Sequence, residues 1–109
     1  MPAQMRRPKL VRDRVPDLIR SRGEIAETTV LSARDYTTAL LDKLVEEAVE
    51  LRIAEKGRHI EELADVWEVL TTAAEQLGFT MQEVEQAATF KRIVRGGFSE
   101  RLRLETTRA

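Results

Sequence analysis

Four stretches with helical spacing, each stopped by a glycine, leave this 109-residue chain few ways to fold. VRDRVPDLIRSRG predicts a short helix, with Pro16 near its start and Gly23 beyond its end. A long helix is expected over about 33–56, ending at Gly57. Ser32 is its N-cap candidate, with Asp35 three residues on. Tyr36, Leu40, Leu44, Ala48 and Leu51 form its apolar stripe. A second long helix is expected over about 60–77, with Leu63, Val66, Trp67, Leu70, Ala74 and Leu77 facing inward and Gly78 at its stop. Thr80 followed by Glu83 is a capping-box pattern, starting a last helix that reaches residue 94 or 95. Gly96-Gly97 breaks it.

The expected class is therefore all-α. Residues 25–31, rich in Thr and Val, fit a short strand or an extended connection, and the alternating residues 101–106 fit a short strand that could pair with them. The length fits one domain, read as residues 9–106 between a flexible tail at 1–8 and a C-terminal tail at 107–109. Broad apolar faces, with Leu41, Val45 and Val49 beside the Leu44 stripe, predict further helical neighbours and hence a homodimer or higher homo-oligomer.

Composition narrows the functional classes. No run approaches the roughly 20 apolar residues of a membrane span. The start, MPAQMRRPKLVRDR, lacks the apolar core of a signal peptide. There is no cysteine, so neither disulfides nor thiolate chemistry are available, and a cytoplasmic location is expected. Eighteen basic and 19 acidic residues leave a net charge of -1, which makes nucleic acid a poor partner. The charges are unevenly placed. Basic residues crowd the N-terminus and recur from Lys91 to Arg103, whereas acidic residues dominate the middle. No phosphate-binding glycine loop, zinc spacing or Ser-His pattern occurs, and His59, the only histidine, reads as a surface residue in a polar turn.

The middle carries two similar blocks, EEAVEL from Glu46 and EELADV from Glu61. Helical residues advance by about 100°. Glu47 and Glu50 then flank the Leu44 stripe on one side, together with Lys43, while Glu46 points away. On the next helix Glu62 falls among Val66, Val69 and Ala73, and Asp65 sits near the polar boundary. Antiparallel packing across the short Gly57-Arg58-His59 connection brings the two carboxylate pairs face to face. Four carboxylates in a poorly hydrated groove require compensation, which Mg²⁺ would supply. Ordinary solvated helix surfaces also carry acids at this spacing.

Two further segments, KLVRDRVP at 9–16 and KRIVRGGF at 91–98, flank KLVEEAVEL and EELADVWEV. In this order the set resembles the MazG-like, or phosphoribosyl-ATP pyrophosphohydrolase-like, all-α nucleotide pyrophosphatases. The resemblance runs from Lys9 to about Leu104. It implies Mg²⁺-dependent hydrolysis of a nucleotide substrate between its α- and β-phosphates, in a dimer or higher assembly. The family's ExxE motif matches Glu47 and Glu50, and its ExxD motif matches Glu62 and Asp65, which makes these four the expected metal ligands. Glu50, farther from the apolar centre, is the expected holder of the attacking water. Lys9, Arg12, Asp13, Arg14, Lys43, Lys91, Arg92 and Arg95 form the expected substrate-binding set, the arginines because their planar fork matches phosphate. Asp13 is expected either to pin an arginine or to join the metal shell. The single short domain and its KLVRDRVP opening depart from larger relatives, so the nucleotide is left open between a nucleoside triphosphate and phosphoribosyl-ATP. A catalytically inactive helical dimer that binds nucleotide or protein is the alternative outside enzymology.

Overall fold

The computed structural model describes residues 8–109, and the expected tail therefore lies outside the described residues except for Pro8. Four helices follow in order: α1 (Val15–Ser21), α2 (Ala33–Ile53), α3 (His59–Gln76) and α4 (Met81–Arg95). The all-α expectation holds. The two expected strands are not present: residues 25–31 and 101–106 carry no regular secondary structure, and no strand occurs among the described residues. An isolated two-stranded ribbon is marginal in water unless it packs an apolar face on something. Here Ile25, Val30, Leu102 and Leu104 are all exposed, so nothing supports such a ribbon.

Local chemistry sets most of the helix ends. The Ser32 hydroxyl accepts the Asp35 N–H at 3.2 Å and starts α2. At α4 the box closes in both directions: Thr80 Oγ1 accepts the Glu83 N–H at 3.1 Å, and Glu83 Oε1 accepts the Thr80 N–H at 3.0 Å. Pro16 stands in the first turn of α1, where its missing N–H costs nothing. The long helix stops earlier than its sequence predicts. Ala54, Glu55 and Lys56 are good helix formers. Yet Ala54 is already extended, with φ -62° and ψ 140°, and a turn closed by the Arg58 N–H on the Glu55 carbonyl follows. Gly57, at φ +93°, takes the left-handed step that lets α3 fold back.

α2 and α3 are the main packed pair, and α4 packs on α3. The pair is antiparallel, because Gln76 at the end of α3 donates to the Ala33 carbonyl at the start of α2, 3.4 Å away. The buried apolar layer consists of Leu40 from α2 with Ala73 and Ala74 from α3. Small alanines opposite a leucine allow the helices to approach closely.

The packed face of α3 differs from the sequence reading. Ala73 and Ala74 are buried and Glu62, Asp65, Val66, Val69 and Leu70 are half-buried, whereas Leu63, Trp67 and Leu77 lie open, Trp67 with 55% of its surface accessible. Apolar residues occupy more of the α3 circumference than one neighbouring helix can cover, so periodicity did not identify which arc faces α2. The exposed apolar set also includes Val45, Ile53, Phe90, Ile93 and Phe98. The radius of gyration is 18.6 Å. A compact chain of this length would have roughly 13 Å.

The α4 cap has a measurable consequence. Thr80→Ala removes the hydroxyl that accepts the Glu83 N–H and donates to Glu83 Oε1, and leaves only the backbone half of the box. The expected loss is about 1 kcal/mol of folding stability, seen as a lower urea midpoint with an unchanged slope. A midpoint equal to wild type would show that α4 does not need its cap.

Candidate metal centre

α2 and α3 assemble three carboxylates. Glu62 and Asp65 stand one turn apart on α3, and Glu47 projects from α2 across the seam. One carboxylate oxygen from each lies within 4.8 Å of the other two. The trio therefore joins the two acidic blocks of the sequence at one place. Leu40 and Glu47 are the two buried residues of α2, seven residues and about 10 Å apart along the axis. Glu47 thus occupies a core position two turns from the apolar layer, not the flank that the Leu44-centred wheel assigned to it. Its residue surface is only 7% accessible.

The electrostatics of the trio are incompletely balanced. Glu47 Oε1 lies 3.4 Å from Lys43 Nζ, one turn earlier on the same helix. Lys43 also reaches Glu46 at 3.6 Å, so Glu46 is half-buried and paired rather than fully solvated. Asp65 Oδ1 accepts from Arg12 Nη2 at 2.7 Å. Two oxygens remain without any hydrogen-bond partner although both are buried: Glu47 Oε2 and Glu62 Oε2. A buried acceptor without a donor costs roughly 1–3 kcal/mol, and more when charged. Two such oxygens on residues of the trio fit an oxygen-ligated cation, and the all-carboxylate donor set suits a hard ion such as Mg²⁺.

Burial pushes the Glu47 carboxyl above its ordinary value of 4.5, the nearby charges of Asp65 and Glu50 push it further, and Lys43 opposes them through its charge and hydrogen bond. Desolvation is the largest cause.

The other expected site residues fall differently. Glu50 is exposed and is not part of the trio, but it lines an adjoining open groove of about 340 Å³ together with Ile53, Ala54, Glu55, Arg58 and Glu62. Arg12 reaches the centre directly. Lys9, Asp13 and Arg14 are exposed near it in sequence, and Asp13 pins no arginine among the described residues; Asp65 does so instead. Lys91, Arg92 and Arg95 are exposed near the end of α4 and make no ion pair with the trio. His59 is exposed at the first position of α3. Sequence reasoning overlooked Arg58, which lines the groove and pairs with Glu61 at 2.7 Å. It also left Lys43 without a partner, although the spacing of Lys43 and Glu47 is that of an intrahelical ion pair.

Fold and site together define an all-α helical protein with a buried acidic cluster capable of coordinating a metal ion. No family model matches the chain. An uncharacterized protein of Mycolicibacterium smegmatis is similar, 47% identical over 58 residues, with 47% of this chain and 59% of that protein covered. The chain thus spans about three fifths of that relative's length. No solved structure matches.

Glu47 gives a pH prediction with a definite sign. Its folded-state affinity for a proton exceeds that of the unfolded chain, so the metal-free fold loses stability as pH rises from 4.5 through the raised value. Glu47→Gln mimics the neutral form. The metal-free variant should melt at a higher temperature than wild type at pH 7, and the difference should shrink toward pH 4. A variant that melts lower at pH 7 would mean that the Lys43 pair outweighs desolvation.

Proposed function

We propose that the protein is a Mg²⁺-dependent nucleotide pyrophosphohydrolase, cleaving a nucleoside triphosphate between its α- and β-phosphates to give a nucleoside monophosphate and pyrophosphate. The observation that carries this reading is the pair of buried, unpartnered oxygens of Glu47 and Glu62 beside Asp65. The motif order that resembles MazG-like enzymes supplies the reaction class.

Glu47, Glu62 and Asp65 would hold the ion from two helices. When bound, Mg²⁺ neutralises phosphate oxygens and orients water. Glu50 lines the same groove as Glu62, exposed to solvent, and in this proposal would take the proton of a water attacking the α-phosphorus. The bridging oxygen then leaves with pyrophosphate. Arg12 and Lys43 are the cationic side chains already at the trio. Lys9, Arg14, Lys91, Arg92 and Arg95 are exposed donors for phosphate. Ile53 and Ala54 give the groove an apolar wall suited to a base or sugar face. No described helix is long and apolar enough to cross a membrane.

The working unit is a homodimer or larger in this proposal. The apolar residues buried within one protomer are Leu40, Ala73 and Ala74, while Leu63, Trp67, Val45 and Ile53 on the long helices stay open. A second copy of the pair would cover them as one helix face covers another. Sedimentation at low micromolar concentration should give at least a dimer, and a well-folded monomer would defeat this part.

The reaction is tested by pyrophosphate release with Mg²⁺ from canonical and modified nucleoside triphosphates, deoxy forms and phosphoribosyl-ATP. Release of orthophosphate alone would refute the choice of bond. Glu47→Gln, Glu62→Gln and Asp65→Asn should each weaken Mg²⁺ binding at least about tenfold, since even groups behind the ligands matter that much. Glu68→Gln, on the exposed face of α3, should change little. Activity near wild type in all three site variants would exclude the trio as the catalytic centre.

A further inference from the structure

Arg12 ties the N-terminal segment to the acidic centre. Its bond to Asp65 spans 53 positions in sequence and is, among the described residues, the one ion pair between the segment preceding α2 and the long helices. The attachment around it is light. α1 has no buried residue, and Leu10, Val11, Val15 and Ile19 are only half-buried. Arg12 itself keeps 58% of its side chain accessible.

Charge balance makes this contact conditional. The three carboxylates of the trio face two cations, Arg12 and Lys43, and Lys43 is shared with Glu46, so the acids outnumber the cations at the centre. A divalent ion bound by the trio would stand beside the guanidinium that already holds Asp65 Oδ1 at 2.7 Å, and would compete with it for that carboxylate. Lys43 cannot leave readily, because it sits on α2 within the same turn and only 17% of its side chain is accessible. Arg12 can, because it sits on a short, lightly packed segment. The repulsion between a bound ion and a guanidinium on one of its ligands then acts on the weaker tether. A freed guanidinium beside a metal centre is suited to a phosphate oxygen pair.

We propose that Arg12 is a metal-gated positioning residue: it holds Asp65 until a divalent cation occupies the Glu47–Glu62–Asp65 trio, and then releases that carboxylate and takes a phosphate group at the same centre. This rests on the metal-binding reading above. The device couples cation binding to release of the N-terminal segment, and phosphate binding to its return. An anionic ligand arriving before the cation meets an arginine that is already engaged.

The 109-residue chain tests this with Mn²⁺ as the probe, read by calorimetry and by amide hydrogen exchange over residues 9–22. Saturating Mn²⁺ should speed exchange in that segment severalfold in wild type, while α2 and α3 become more protected. Adding inorganic pyrophosphate to the Mn²⁺-loaded protein should restore protection. Arg12→Ala should bind Mn²⁺ severalfold more tightly than wild type and show neither response in the segment. The proposal is overturned if Mn²⁺ leaves the segment unchanged or protects it, if pyrophosphate does not restore protection, or if Arg12→Ala binds Mn²⁺ no better than wild type. Exchange in the unmutated protein decides the first two points even if the variant does not fold. If wild type binds no Mn²⁺, or binds it equally well as Glu47→Gln, the metal-binding reading falls and this inference with it. Binding that Glu47→Gln abolishes, with an unresponsive segment, removes this inference alone.

Discussion

A carboxylate held at a core position between two antiparallel helices governs the rest of this structure. Glu47 occupies a place on α2 where an apolar side chain would pack, in line with Leu40. Its neighbours are arranged in response: Lys43 one turn back, Glu62 and Asp65 across the seam, and Arg12 brought in from beyond α1. Replacing such a set with apolar residues often stabilises a protein. The site therefore reads as stability given up for binding, and the unpartnered oxygens of Glu47 and Glu62 mark where a cation would recover it.

The same seam explains why so little apolar surface is covered. Two turns of its length are taken by acids and their cations, leaving Leu40, Ala73 and Ala74 as the closed layer. The remaining apolar arcs of α2, α3 and α4 point outward, and the chain stays extended, with a radius of gyration of 18.6 Å. In the proposed homodimer, the open faces of the long helices would supply the apolar contact that the charged seam leaves out.

The legibility of these features in the sequence followed the range of the forces involved. Thr80 with Glu83, and Ser32 with Asp35, act over three residues and form the caps their spacing predicts. Strands at 25–31 and 101–106 required partners far away in the chain, and alternation alone did not provide them. The α3 face was misread for a related reason. Val66, Leu70 and Ala74 face inward as expected, but Leu63, Trp67 and Leu77 extend the same apolar surface, and only the position of α2 leaves them open. Glu47, Glu62 and Asp65 were legible as candidates because their spacing places each pair on one side of a helix, but Glu50 shares that spacing and lies outside the trio.

By itself, then, the amino-acid order determined where helices begin, that they would be four, and that two of them would carry acids at matching intervals. These are consequences of local hydrogen bonding and helical periodicity, which need no distant contact. Tertiary structure alone decided that α2 ends at Ile53, that Glu47 is buried while Glu50 is not, and that Arg12 meets Asp65 across 53 residues. Each of those depends on the register of one helix against another. Register is seen in the bond from Gln76 to the Ala33 carbonyl and in the meeting of Glu47 with Glu62 and Asp65, and a periodic sequence leaves that choice open until the two surfaces meet.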